Sequence, residues 1–169
     1  MIKIVGARGN IQNIDSFLQK IQSFSQKKQV YIQVFNADLI FGKNHIISAV
    51  KHAKRSIENK TNTTNSFEME ILLYASGERQ LKLAIPKMGI KEENAKIVFT
   101  FVKEKGAITD DLIIEILELL YLKRDDNIIE GDEDTLKRFG INKTELETVS
   151  KDKYEDLILE KVAMVDIIK

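Results

Sequence analysis

The chain has 169 residues, 43% hydrophobic and 31% charged, with eight glycines and one proline, which suits one folded domain and excludes collagen-like and disordered classes. It has no cysteine, so disulfides, thiolate metal sites and cysteine nucleophiles are excluded, and a reducing, cytoplasmic setting is expected. Basic and acidic residues are equal at 26 each, yet residues 1–60 hold ten Lys/Arg against three Asp/Glu, and residues 107–169 hold nine against seventeen. If the fold keeps those halves apart, one attracts polyanions and the other a basic protein surface; two ordinary solvated faces would give the same pattern. The opening MIKIVGARGN has no export-signal core and no apolar run approaches a membrane span, so neither export nor a membrane is expected.

In chain order, MIKIV alternates and predicts a first strand ended by Gly6 and Gly9. Residues 11–28 space Ile14, Phe17, Leu18, Ile21 and Phe24 as a helix, and QVYIQVF at 29–35 puts Val30, Ile32 and Val34 on one strand face. From Gly42 to Lys60 the helical stripe is Ile46, Val50, Ala53 and Ile57, with Ser48, Lys51 and Arg55 roughly opposite, so this helix shows a basic face. SFEMEILLYA at 66–75 alternates over a strand's length and is expected to be a strand. ERQLKLAIPKMG then predicts a helix closed by Gly89 and shortened or bent by Pro86, and AKIVFTFV (Ala95 to Val102) a further strand. TDDLIIEILELLYLKR is a helix capped by Thr109, with Asp110 and Asp111 in its first turn and Lys123 and Arg124 in its last. The acidic remainder predicts short helices and a final one from Ser150, striped by Tyr154, Leu157, Ile158, Val162 and Val165. The expected architecture is α/β in the broad sense (α+β): a sheet of about four strands packed with helices, forming a single domain of residues 1–169. Within it, residues 1–106 make the sheet-containing core and residues 107–169 an acidic helical region.

Catalytic grammar is sparse. His45 and His52 lack the i, i+4 spacing of a helical metal pair, no serine sits in G-x-S-x-G, and GKN at Gly42 lacks the rest of a phosphate-binding loop. No cofactor, metal site or catalytic residue is expected. SGERQ, Ser76 to Gln80, has a physical use if a helix begins near Glu78: first-turn amides carry partial positive charge, Gly77 lets another chain approach, and Arg79 is a fork for phosphate. A plain cap and turn with solvated Arg79 and Gln80 would use the same residues.

Glu70 to Ile90 followed by AKIVFTFV is similar to the hallmark segment of the small kinase-associated subunit of the KEOPS tRNA-modification complex, the family that includes the PRPK-binding protein of eukaryotes. FNADLIFGKNHIISAVKHA resembles the same family at Asn36, Ala37, Gly42, His45 and Ala49, and the archaeal form is closest. The two segments cover about a third of the chain; Pro86 and the run ENKTNTTNS are departures of this sequence. The resemblance implies a non-catalytic adaptor that binds and activates the small atypical kinase/ATPase subunit through its N-terminal lobe, meets the other subunits indirectly, and holds the tRNA 3′ CCA acceptor end. The complex modifies the adenosine beside the anticodon with a threonylcarbamoyl group, through a different subunit.

The expected RNA-end pocket combines the basic helix, with Lys43, His45, Lys51, Lys54 and Arg55, and the turn, with Ser76, Gly77, Arg79 and Gln80. Tyr74 or His45 would supply a stacking surface. The expected kinase contact is the apolar end of the chain, with Tyr154, Leu157, Val162, Met164, Val165, Ile167 and Ile168; docking of that stripe on the parent body is the competing reading. The competing function is a small phosphate- or nucleotide-binding enzyme using the SGERQ turn.

Overall fold

Alternation and helical spacing become four strands and eight α-helices, with three short 3-10 turns between them, among residues 1–93 and 96–169, which the computed structural model describes. The strands are β1 (Ile2–Arg8), β2 (Tyr31–Asn36), β3 (Lys96–Val102) and β4 (Lys123–Arg124). The helices are α1 (Ile14–Lys28), α2 (Gly42–Glu58), α3 (Phe67–Ser76), α4 (Leu81–Met88), α5 (Asp110–Leu119), α6 (Glu133–Phe139), α7 (Lys143–Glu147) and α8 (Tyr154–Ile168). The strand start expected at Ala95 lies outside the described residues. Backbone contacts divide the chain into two units, Met1–Ala37 with Ile90–Ile129 and Asp38–Gly89 with Glu130–Lys169.

The first unit is built on an antiparallel sheet in the order β2-β3-β1-β4. Phe99 of central β3 stands opposite both Val5 and Val34, so alternation places Val5, Ala7, Ile32, Val34, Ile97, Phe99 and Phe101 on one face. Phe17, Ile21 and Phe24 of α1 and Ile113, Ile116 and Leu117 of α5 belong to the same buried cluster. Each such side chain contributes about 1.5–3 kcal/mol relative to exposure. Gly6 is required for a different reason: a Cβ there would come within 2.3 Å of the Asp125 carbonyl oxygen, because Asp125 N–H donates to the Gly6 carbonyl at 2.8 Å.

Two expectations are corrected in kind. Residues 66–75 form α3, a helix, with Ser66 as its N-cap accepting from Met69 N–H. Glu70 to Ser76 are buried without a break, so α3 has no polar face through which its 3.6-residue period would show. The fourth strand is instead β4, drawn from Lys123 and Arg124, which sequence placed in the last turn of α5. That helix ends at Leu119 because the Leu122 N–H turns back to the Leu117 carbonyl at 2.8 Å and Tyr121 N–H to Glu118 at 3.1 Å, a Schellman closure with Tyr121 at φ 56°. Lys123 and Arg124 then pair with Arg8 and Ala7.

The second unit is helical. Along α2, Ile46, Ala49, Val50 and Ala53 are buried, and α3 and α8 pack against it. The α8 stripe of Leu157, Ile158, Val162 and Val165 is buried in this unit, so that part of the tail docks on its own body. α4 begins at Leu81, after Gln80, rather than near Glu78, and carries Pro86 inside its eight residues.

Candidate functional site

The SGERQ turn joins two helices rather than a strand and a helix, and it has an inner and an outer half. Ser76 is buried; its hydroxyl donates to the Leu73 carbonyl at 2.8 Å and accepts from Glu78 N–H at 3.1 Å. Gly77 ends α3 at φ 69°, and a Cβ there would lie 3.3 Å from the Phe139 ring and 3.4 Å from Lys161, so both backbone and space call for glycine. Lys87 holds the turn from α4: its ammonium donates to the Ser76 carbonyl at 2.8 Å and to Glu78 at 3.1 Å, and stands 3.9 Å from the Phe139 ring centre. Burial pulls the Lys87 pKa down, against the pull of Glu78. Arg79 and Gln80 are exposed, and the Gln80 side chain makes no capping bond to α4.

His45 and Tyr74 are not surface groups. Fully buried His45 accepts Phe41 N–H at Nδ1 (3.1 Å), while Nε2, 2.8 Å from the Ala75 carbonyl, carries the proton. It thereby ties the start of α2 to the end of α3. Burial lowers its pKa from 6.5 to about 4, so it is neutral near pH 7. Tyr74 is also buried, with its hydroxyl donating to Asp166 and its ring stacked on His52 at 5.4 Å between centroids. Neither ring is available to stack a base from these positions, which corrects the stacking role expected of them.

The basic face of α2 is partly engaged. Lys43, Lys51, Lys54 and Arg55 are exposed, but Arg55 lies 2.9 Å from Asp166, and Lys54 is 3.9 Å from Glu58. Asp166 of α8 also sits 2.8 Å from His52 Nδ1; burial raises its pKa, and the bonds from Tyr74, His52 and Arg55 outweigh that and lower it. One turn further, Lys169 reaches inward to buried Glu70 at 2.8 Å. Glu70 also accepts from Ser56 Oγ at 3.1 Å and from the Thr63 and Thr64 amides at 3.2 and 3.0 Å. Burial pushes the Glu70 pKa up, but Lys169 and the two amides more than reverse it, and the carboxyl stays below its usual range. A cleft of about 410 Å³ opens beside this network, lined in part by Arg55, Asn59, Thr61 and Thr63.

On α8, Leu157, Val162 and Val165 face inward, whereas Met164, Ile167 and Ile168 are exposed, Ile167 to 75%; Tyr154 is half-buried. Of the expected kinase contacts, the inward three are spent on the fold. Sequence reasoning missed Lys87 as the holder of the turn, and missed His52, Asp166, Lys169 and Glu70 as one network joined through Tyr74. Only the hydrophobic company of Glu70 in EMEILLYAS hinted at one of them.

Among the described residues no group of three His, Asp or Glu side chains is set to hold a metal ion, and no helix is long and apolar enough to cross a membrane. This is an α+β protein whose four-stranded antiparallel sheet is packed with helices and whose interior acids and bases serve one another. Residues 9–166 match the model of the family described as kinase binding protein CGI-121, and the chain belongs to that family. It is 33% identical over 102 residues to the regulatory protein Cgi121 of Methanocaldococcus jannaschii, a match spanning 60% of this chain and 62% of that relative's length.

Proposed function

We propose that this chain is a non-catalytic regulatory subunit of a cytoplasmic KEOPS complex, which binds and activates the complex's small atypical kinase and holds the single-stranded CCA end of tRNA. The observation that carries the reading is the family match across residues 9–166, with the relative's name, regulatory protein, in support. The surface chemistry suggests where each partner sits. Arg79 and Gln80 point outward from a turn locked behind them by Ser76, Gly77 and Lys87, and Lys43, Lys51 and Lys54 are exposed on α2 in the same unit. A planar cation and an amide held on a rigid turn suit a phosphate and a base edge or ribose hydroxyl. Apolar Met164, Ile167 and Ile168 at the outer end of α8 suit the groove of a kinase lobe, with Tyr154 at its rim.

The test is binding to a full tRNA and to the same tRNA lacking its terminal CCA, across a salt series, with Arg79→Ala beside the wild type. The reading expects loss of binding without CCA and a slope of log affinity on log salt of about −3 for about four neutralised phosphates. Equal binding to both tRNAs, or an unaffected Arg79→Ala, overturns the RNA half. The kinase half fails if the triple change Met164→Ser, Ile167→Ser, Ile168→Ser keeps full affinity for the purified kinase subunit.

A further inference from the structure

A second surface, in the first unit, has features that folding alone does not require. The Schellman closure of α5 needs a left-handed residue, normally glycine, and the chain places Tyr121 there at φ 56°. Two other helices close through non-glycine residues in the same way, Gln29 at φ 51° and Lys60 at φ 58°, both long and flexible. Tyr121 differs in being a rigid aromatic that remains 88% exposed, so it is strained in its backbone and unburied in its ring. Gly9 allows the close approach that holds it there, since a Cβ at Gly9 would come 2.3 Å from Leu122 and 3.3 Å from the Tyr121 carbonyl oxygen.

The exposed ring borders a cleft of about 400 Å³ lined also by Asn10, Gln12, Asn13, Ser16 and Lys20. The Lys20 ammonium stands 5.9 Å from the ring centre, and among the described residues no carboxylate lies within ion-pair distance of it. The ring has a cation over one face, leaving the other to a base, and side-chain amides around it; together these match the parts of a nucleotide: base, phosphate and hydrogen-bonding edge. The neighbouring groove that shares Ser16 and Lys20 carries Glu115 and Glu118 as well as Lys27, whereas among the described residues no carboxylate lines the cleft beside Tyr121, which assigns the phosphate to the Asn10–Asn13 side.

We propose that Tyr121 and Lys20 form a nucleotide-binding cleft, the base stacked on the Tyr121 ring and a phosphate met by Lys20. It does not rest on the RNA reading above, whose residues all belong to the other unit. The same chemistry serves a free mononucleotide or one residue of a single strand. The chain has four tyrosines, so ¹³C-labelled ring signals, assigned by variants, report on Tyr121 directly. Titration with AMP is expected to move the Tyr121 signals, with adenosine weaker by about tenfold and ribose 5-phosphate leaving the ring unmoved. Tighter binding of the tetranucleotide r(A)4 than of AMP identifies a strand as the source, and equal binding a free nucleotide.

Tyr121→Gly is expected to weaken AMP binding by about tenfold or more while raising Tm by about 2–4 °C, because glycine takes the left-handed turn without strain. Lys20→Gln is expected to reduce AMP affinity and leave adenosine affinity alone. Ring signals unmoved by AMP and r(A)4, variants that bind as the wild type does, or a lower Tm in Tyr121→Gly would each overturn the proposal. Arg79→Ala should leave the ring titration unchanged, so intact ring shifts with an unaffected Arg79→Ala tRNA affinity fail the earlier reading alone.

Discussion

The two units manage charge in opposite ways. In the first, ion pairs stay at the surface, as in Lys3 with Asp110 at 2.7 Å, Lys28 with Glu115 at 2.7 Å, and Arg8 with Asp125, over a cluster of purely apolar side chains. In the second, Glu70, His45 and Ser76 are fully enclosed and each is answered by named donors or acceptors. The contrast separates two sources of stability. Apolar burial is indifferent to pH, while a buried polar network stabilises only in one protonation state and is costly when half broken.

The largest break is expected from Phe99→Ala, which opens the apolar cluster under the sheet. Stability should fall by about 4 kcal/mol, by the same amount at pH 5 and pH 7, in denaturant titrations. The second unit should instead show its acid sensitivity. His45 has a folded pKa below its unfolded one, so the unfolded chain binds the proton first, and the stability from burying it neutral is lost as pH falls from 6.5 toward about 4. The loss at the acid end should be about 3 kcal/mol, and it should vanish from the pH profile of His45→Gln relative to wild type. Lys169→Met removes the cation facing Glu70 and leaves three other donors, so about 2 kcal/mol is expected. Hydrogen exchange should then rise in α3 and α8 and not in β3. Smallest of all, Lys3→Ala should leave the denaturant midpoint almost unchanged, since its partner Asp110 is largely exposed.

These contrasts also mark what was legible in the sequence. α1, α2 and α5 each expose one face to water, so their period of 3.6 can be read directly. β1 and β2 are buried on both faces along their middles and were readable instead from short β-branched runs bounded by turn residues. α3 is buried on all sides, so its composition names a core segment without naming its shape. β4 could not be read locally, because Lys123 and Arg124 become a strand only through pairing with Ala7 and Arg8. At the turn, residue types were readable and facing was not: Ser76 and Gly77 point in, Arg79 and Gln80 out. Lys87 and Lys169 looked like ordinary surface lysines because the groups that receive them lie 9 and 99 residues away in sequence.

That separation has a consequence for synthesis. Glu70 and Lys169 belong to one interior, yet at about 5–20 residues per second the ribosome delivers the second on the order of ten seconds after the first. Through that interval α3, with Ile71, Leu72, Leu73 and Tyr74 all destined for burial, has emerged without the helix that will cover it. The nascent chain therefore holds its most apolar helix only partly covered until α8 arrives, which makes α3 a natural station for a chaperone and a place where crowded translation would turn into aggregation.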